Sequence, residues 1–170
     1  MEKVLDKLSS YNIVNNLIPG ALFFYFYELF IGRQLPLSNN VEKFFIYYCC
    51  GMIICRLGSL VVEPICIKLK IVKYAPKKDY VEATKKDKLI EVLLEVSNLY
   101  RTCAGMALVL IISKLYTYLE QWLNVPTNAT VWVIIVLLLI LFTVSYKKQT
   151  KHIVSRVAAV NENASQDGAR

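Results

Sequence analysis

Four ionisable residues stand inside otherwise apolar stretches of this sequence: Glu28, Arg56, Glu63 and Lys114. A charge at mid-bilayer depth costs on the order of 3 kcal/mol, so such residues usually pair, face water or line a path for ions or protons. Arg56, Ser59 and Glu63 follow one another at i, i+3 and i+7, which puts them on one face of a helix. That polar stripe suits the lining or gate of a water-filled path, and Glu28 is a further candidate on another helix. The structural alternative is ion pairing that only fixes helix register: Glu28 with Lys114, or Arg56 with a carboxylate.

A second set is basic: Lys77, Lys78, Lys85, Lys86 and Lys88, with Arg101 behind them. Three chemistries suit it. Anionic lipid headgroups would attract it at about 1 kcal/mol per lysine. A phosphate-bearing ligand, such as a nucleotide messenger or short oligonucleotide, could be held by it across subunits. It could also simply set membrane topology.

Catalytic motifs are missing. The single histidine, His152, lies in a basic tail and reads as solvated. There is no Gly-rich phosphate loop, no nucleophile elbow and no HExxH. Cys49, Cys50, Cys55, Cys66 and Cys103 lack metal-ligand spacing and read as reduced, buried thiols. Asn128-Ala129-Thr130 matches a glycosylation pattern but lies almost in the membrane. The expectation is a protein that is not an enzyme and takes no cofactor.

The elements that hold these residues follow from hydropathy. Of 170 residues, 56% are hydrophobic. A soluble domain of that size could not hide so much apolar surface, so the excess is expected to face lipid. A bilayer core of about 30 Å needs about 20 apolar residues per helix. Four segments qualify: 13–32, 44–67, 102–122 and 129–146. Residues 131–142 contain no polar side chain at all. The first 16 residues are mixed polar with no small-residue cleavage site, so the first span is expected to stay in the protein.

The net charge of +7 is unevenly spread. Lysines crowd the segment 68–88 and the tail after the fourth span, whereas the loops 33–43 and 123–128 hold few or none. The positive-inside bias therefore predicts that both termini and the long loop face the cytoplasm. Within that loop Asp79 can cap a helix, with Glu82 at the capping-box position. Leu89, Val92, Leu93, Val96, Leu99 and Cys103 then recur at helical spacing with no Gly or Pro between. One helix from 79 to 122 is expected, entering the membrane near Arg101. Gly51 and Gly58 suit close helix contacts and Pro19-Gly20 a bend. Asn15 and Asn16 suit hydrogen bonds across helices.

The expected fold is all-α: a polytopic membrane protein with four transmembrane helices, the third extended into the cytoplasm as a long amphipathic helix. Its parts are a first hairpin (1–67), a basic loop and amphipathic helix (68–101), a second hairpin (102–146) and a basic, partly disordered tail (147–170).

Tyr11-Asn12-Ile13-Val14-Asn15-Asn16-Leu17-Ile18-Pro19-Gly20 and Arg56-Leu57-Gly58-Ser59-Leu60-Val61-Val62-Glu63-Pro64 resemble small four-span membrane proteins of bacterial anti-phage defence systems. The nearest type is the Hailong membrane effector, which is paired with a nucleotidyltransferase. The resemblance covers roughly the first two spans and the loop helix. It implies a homo-oligomeric ion channel in the inner membrane, opened by a nucleotide or oligonucleotide signal from that nucleotidyltransferase, which depolarises the infected cell. Hydropathy and spacing alone leave two alternatives open: a small proton-coupled transporter using Glu28, and a non-conducting membrane anchor for a cytoplasmic partner.

Overall fold

A computed structural model describes the backbone of residues 2–34, 36–37 and 39–167. Side chains are described for residues 13–34, 36–37, 39–76, 79–80, 82–84 and 86–158. Every regular element among them is helical: α1 (Glu2–Ile31), α2 (Asn40–Leu57), a π-helical turn (Gly58–Val62), α3 (Glu63–Lys68), α4 (Lys77–Lys86), α5 (Leu89–Leu123) and α6 (Thr127–Asp167). Four stretches are long and apolar enough to cross a membrane: Ile13–Ile31, Asn40–Lys68, Leu89–Leu123 and Thr127–Ala158. Each contains or closely overlaps one of the four expected spans.

Local chemistry sets the ends. α1 stops at Gly32, whose positive φ of 76° lets its N–H turn back onto the Glu28 carbonyl at 3.0 Å. α2 begins after Asn39, whose side-chain oxygen accepts from the Val41 N–H at 3.1 Å. α5 ends on Asn124 in the left-handed conformation, and Pro126 follows before the chain turns into α6.

Two expectations about the lysine-rich segment are corrected. The helix expected from 79 to 122 is broken at Asp87, which is extended (φ −135°, ψ 112°) and separates α4 from α5. The Asp87 carboxylate accepts the Leu89 N–H at 2.8 Å and so starts α5 anew. A short acidic side chain that bonds to the backbone ahead of it does this without Gly or Pro. α4 itself begins at Lys77 behind Pro76, so Asp79 falls in its first turn rather than at its cap. Glu82 pairs with Lys86 at 2.7 Å instead of closing a capping box. At the other end of the chain α6 runs through Asp167.

α1, α2 and α5 pack as a three-helix unit joined at two close crossings. At the first, Gly20 lies on the Tyr47 backbone and Gly51 on the Asn16 carbonyl, with no room for a side chain at either glycine. At the second, Gly105 faces Gly58 and a Cβ on Gly105 would sit 3.1 Å from the Gly58 Cα. Ile54, Thr102 and Pro19 fill the space beside these crossings and are fully buried. Close backbone approach of this kind is how helices associate where lipid removes the hydrophobic drive between them. Around Pro19 the Asn15 amide reaches α2, donating to the Cys55 Sγ at 3.8 Å.

Beyond the crossings the interior is thin. Among the described residues only Phe23, Ile54 and Leu141 are buried hydrophobic side chains. The apolar residues of α6 from Val131 to Ile140 are almost all exposed. Water cannot cover such a surface, so lipid or neighbouring subunits must.

Candidate functional site

The π-helical turn in the second span is where the sequence builds the site. Pro64 has no N–H, and in an α-helix its ring would crowd the carbonyl four residues back. The turn ahead of it widens, so that the Glu63 N–H bonds to the Gly58 carbonyl, five residues back. Pro64 then stands where the next such donor, to the Ser59 carbonyl, would be. Lys148 of α6 takes that place: its Nζ donates to the Ser59 carbonyl at 2.6 Å and lies 2.8 Å from the Ser59 Oγ.

Glu63 is the meeting point of three helices. Its Oε2 accepts from Arg101 Nη1 of α5 at 2.9 Å, from Lys148 Nζ at 3.1 Å and from Ser59 Oγ at 3.3 Å. The side chains are 19% exposed for Glu63, 22% for Arg101 and 30% for Lys148. Gly58 makes this possible. A Cβ there would lie 2.9 Å from the Arg101 carbonyl, so glycine lets α5 come close enough for Arg101 to reach Glu63.

Arg56, Ser59, Glu63, Arg101 and Lys148 line one cleft of about 700 Å³, together with Ser145 and His152 of α6. Arg56 is exposed and forms no ion pair among the described residues. The expected Arg56–carboxylate contact is thus replaced by Arg101 and Lys148 sharing Glu63. Glu63 is the single carboxylate among the described lining residues, against Arg56, Arg101 and Lys148. Three cations less one anion give these four side chains a formal charge of +2. Two buried polar atoms of lining residues, Arg101 Nε and Ser145 Oγ, have no hydrogen-bond partner among the described residues. Leaving such a group unpaired costs roughly 1–3 kcal/mol.

Of the residues expected to line a path, Arg56, Ser59 and Glu63 do share one face, and Arg101 from the ligand set joins them. Glu28 does not. It lies at the opposite end of α1, where Gln34 donates to it, and lines a separate recess with Arg33, Lys43 and Tyr47. The alternative Glu28–Lys114 pair is not formed either: Lys114 Nζ donates to the Phe30 carbonyl at 2.7 Å and lies over the Tyr118 ring. Lys86 bonds Glu82 on the surface, and Lys88 is exposed at the start of α5. Neither lines the cleft. The side chains of Lys77, Lys78 and Lys85 lie outside the described residues.

Lys148, Ser145 and His152 are the functional candidates that sequence reasoning missed, because the tail was read as topology and solvent. A signal was present. Ser145, Lys148 and His152 repeat at i, i+3 and i+7, the same spacing as Arg56, Ser59 and Glu63, and Asn98 and Arg101 add i, i+3 on α5. Each stripe crosses from an apolar run into a polar one.

Comparison with protein-family models, with curated proteins and with solved structures finds no match. The functional reading therefore rests on the geometry of this chain.

Proposed function

We propose that the chain is one subunit of an oligomeric membrane channel whose opening is controlled at the cleft between α3, α5 and α6. One observation carries this reading: polar stripes from three apolar spans converge on one cationic cleft, where a single carboxylate is shared by cations from two of those spans. Charges inside a span that face a shared cavity are the usual mark of an ion pathway. Oligomerisation is supported by the exposed apolar faces and thin core, since four helices alone enclose no wide aqueous path. A cytoplasmic position for the lysine-rich end follows from its charge bias. A defence role, with a nucleotide or oligonucleotide as the opening signal, is proposed on the resemblance of the first two spans.

The test is ion flux from liposomes that hold the purified full-length protein, together with membrane potential in cells that express it. Flux is expected from wild-type protein and is expected to vanish in Arg56→Leu at unchanged expression. Liposomes that stay tight with and without nucleotide or short oligonucleotide, and an undisturbed membrane potential on expression, would remove the channel reading. Capture of a single soluble enzyme by such a non-conducting protein would favour a membrane anchor.

A further inference from the structure

We propose that the cleft binds a phosphate group at Arg56, at the Nε of Arg101 and at the hydroxyl of Ser145, with an apolar body attached to that phosphate lying along Leu60 and Leu94. This deepens the channel reading by naming the ligand chemistry at its control point. The binding claim itself does not require conduction.

The unmet hydrogen-bonding groups define what fits. Arg101 Nε and Ser145 Oγ are buried without partners among the described residues, and Ser145 as a whole is only 8% exposed. Unpaired buried groups are rare in native proteins, and a bound group is one of the few physical reasons for them. A guanidinium N–H can only donate, and Arg56 brings up to five more such donors with no carboxylate to take them. The cleft thus asks for an acceptor-rich anion and repels a metal cation. Planar forks suit phosphate oxygens better than a spherical anion.

Charge narrows the class further. Arg56, Arg101 and Lys148 against Glu63 leave about two positive charges, and a phosphate monoester carries about −1.5 to −2 near neutral pH. Lys148 already spends its hydrogen bonds on Ser59 and Glu63, so it supplies field rather than contact. At about 700 Å³ the cleft is far larger than a bare phosphate and lies in the range of about 300–1,000 Å³ occupied by organic ligands. Leu60 and Leu94 on its wall give the remainder an apolar surface. Two sources supply this chemistry: a soluble organic phosphate, or the headgroup of a phospholipid from the surrounding bilayer.

The experiment uses the full chain in nanodiscs and has two arms. In neutral phosphatidylcholine discs, phenyl phosphate is titrated and its binding followed by phosphorus-31 line broadening. In discs that contain phosphatidic acid, retained lipid is counted by native mass spectrometry. Saturable binding is expected in at least one arm, weakened tenfold or more by Arg56→Gln and by Ser145→Ala and unchanged by Lys147→Gln, an exposed lysine outside the cleft. Phenyl phosphate binding alone assigns a soluble source, and phosphatidic acid retention alone assigns the bilayer; both support the site. Circular dichroism and thermal unfolding of the unliganded variants establish folding, and Ser145→Ala, which deletes an unpaired hydroxyl, is expected to unfold no earlier than wild type. Absence of saturable binding in both arms, or binding that survives both cleft substitutions, overturns the proposal. Binding without ion flux keeps this site and removes the channel; flux without binding does the reverse.

Discussion

Where α5 turns toward α6, Arg33 meets Glu120 at 2.7 Å, with the arginine side chain 52% exposed and the glutamate 16%. About two-thirds of the way back along α5 and halfway along α6, Arg101 and Lys148 converge on Glu63, and every partner is at least two-thirds buried. The outer pair raises the Arg33 pKa above its ordinary value, first through the hydrogen bond to Glu120 and then through its charge. Arginine is protonated either way, so this pair provides no switch in the physiological range. The inner cluster differs in kind, because one acceptor serves two cations from two helices. Loss of that acceptor leaves both cations uncompensated in a poorly solvated place. The contrast separates charges that decorate a helix end from charges that hold helices in one arrangement.

The comparison is sharpened most by Glu63→Gln. Two largely buried cations lose their carboxylate, and the expected loss is roughly 2–3 kcal/mol, below the 3–5 of a fully buried pair. Thermal unfolding in detergent measures it; a wild-type midpoint would mean that the inner cluster is as dispensable as the outer one. Gly58→Ala comes next, at about 1–2 kcal/mol, because its Cβ would press on the Arg101 carbonyl at 2.9 Å. In a double-mutant cycle it is expected to couple to Glu63→Gln, and strict additivity would show that α5 reaches Glu63 from elsewhere. Lys148→Met should cost about 1 kcal/mol by leaving the Ser59 carbonyl without a donor, read by the same unfolding measurement. Arg33→Gln is expected to cost under about 1 kcal/mol, and the difference should disappear in 1 M salt. A larger, salt-resistant effect would erase the distinction between the two ends.

The spans were legible because length and hydropathy decide them before any packing is known. Residues 131–142 can do nothing else but cross a membrane or sit in a core that this chain does not build. The glycine contacts were legible too: Gly51 and Gly58 were expected to bring helices close, and they do so on different neighbours, α1 and α5. The break at Asp87 was hidden, because periodicity reports the faces of a helix and not a single side chain competing for the backbone. The widened turn at Gly58–Val62 was hidden for a related reason, although Pro64 was in plain view. Half of the cleft could be read from the i, i+3, i+7 stripe on the second span. The other half could not, because which basic residue meets Glu63 depends on how α5 and α6 lean against it, and nearby lysines look alike until that is known.

α6 has one more consequence. Its 41 residues make a rod of roughly 60 Å, about twice the thickness of a bilayer's oily interior. The grip of Ser59 and Glu63 on Lys148 falls near the middle of that rod and acts as a fulcrum. From there to Asp167 the shaft extends roughly 30 Å further, so a tilt of about 10° at the fulcrum swings its tip by about 5 Å. A small change of angle where that lysine is held is thereby magnified into a displacement of several ångströms at the far tip of α6.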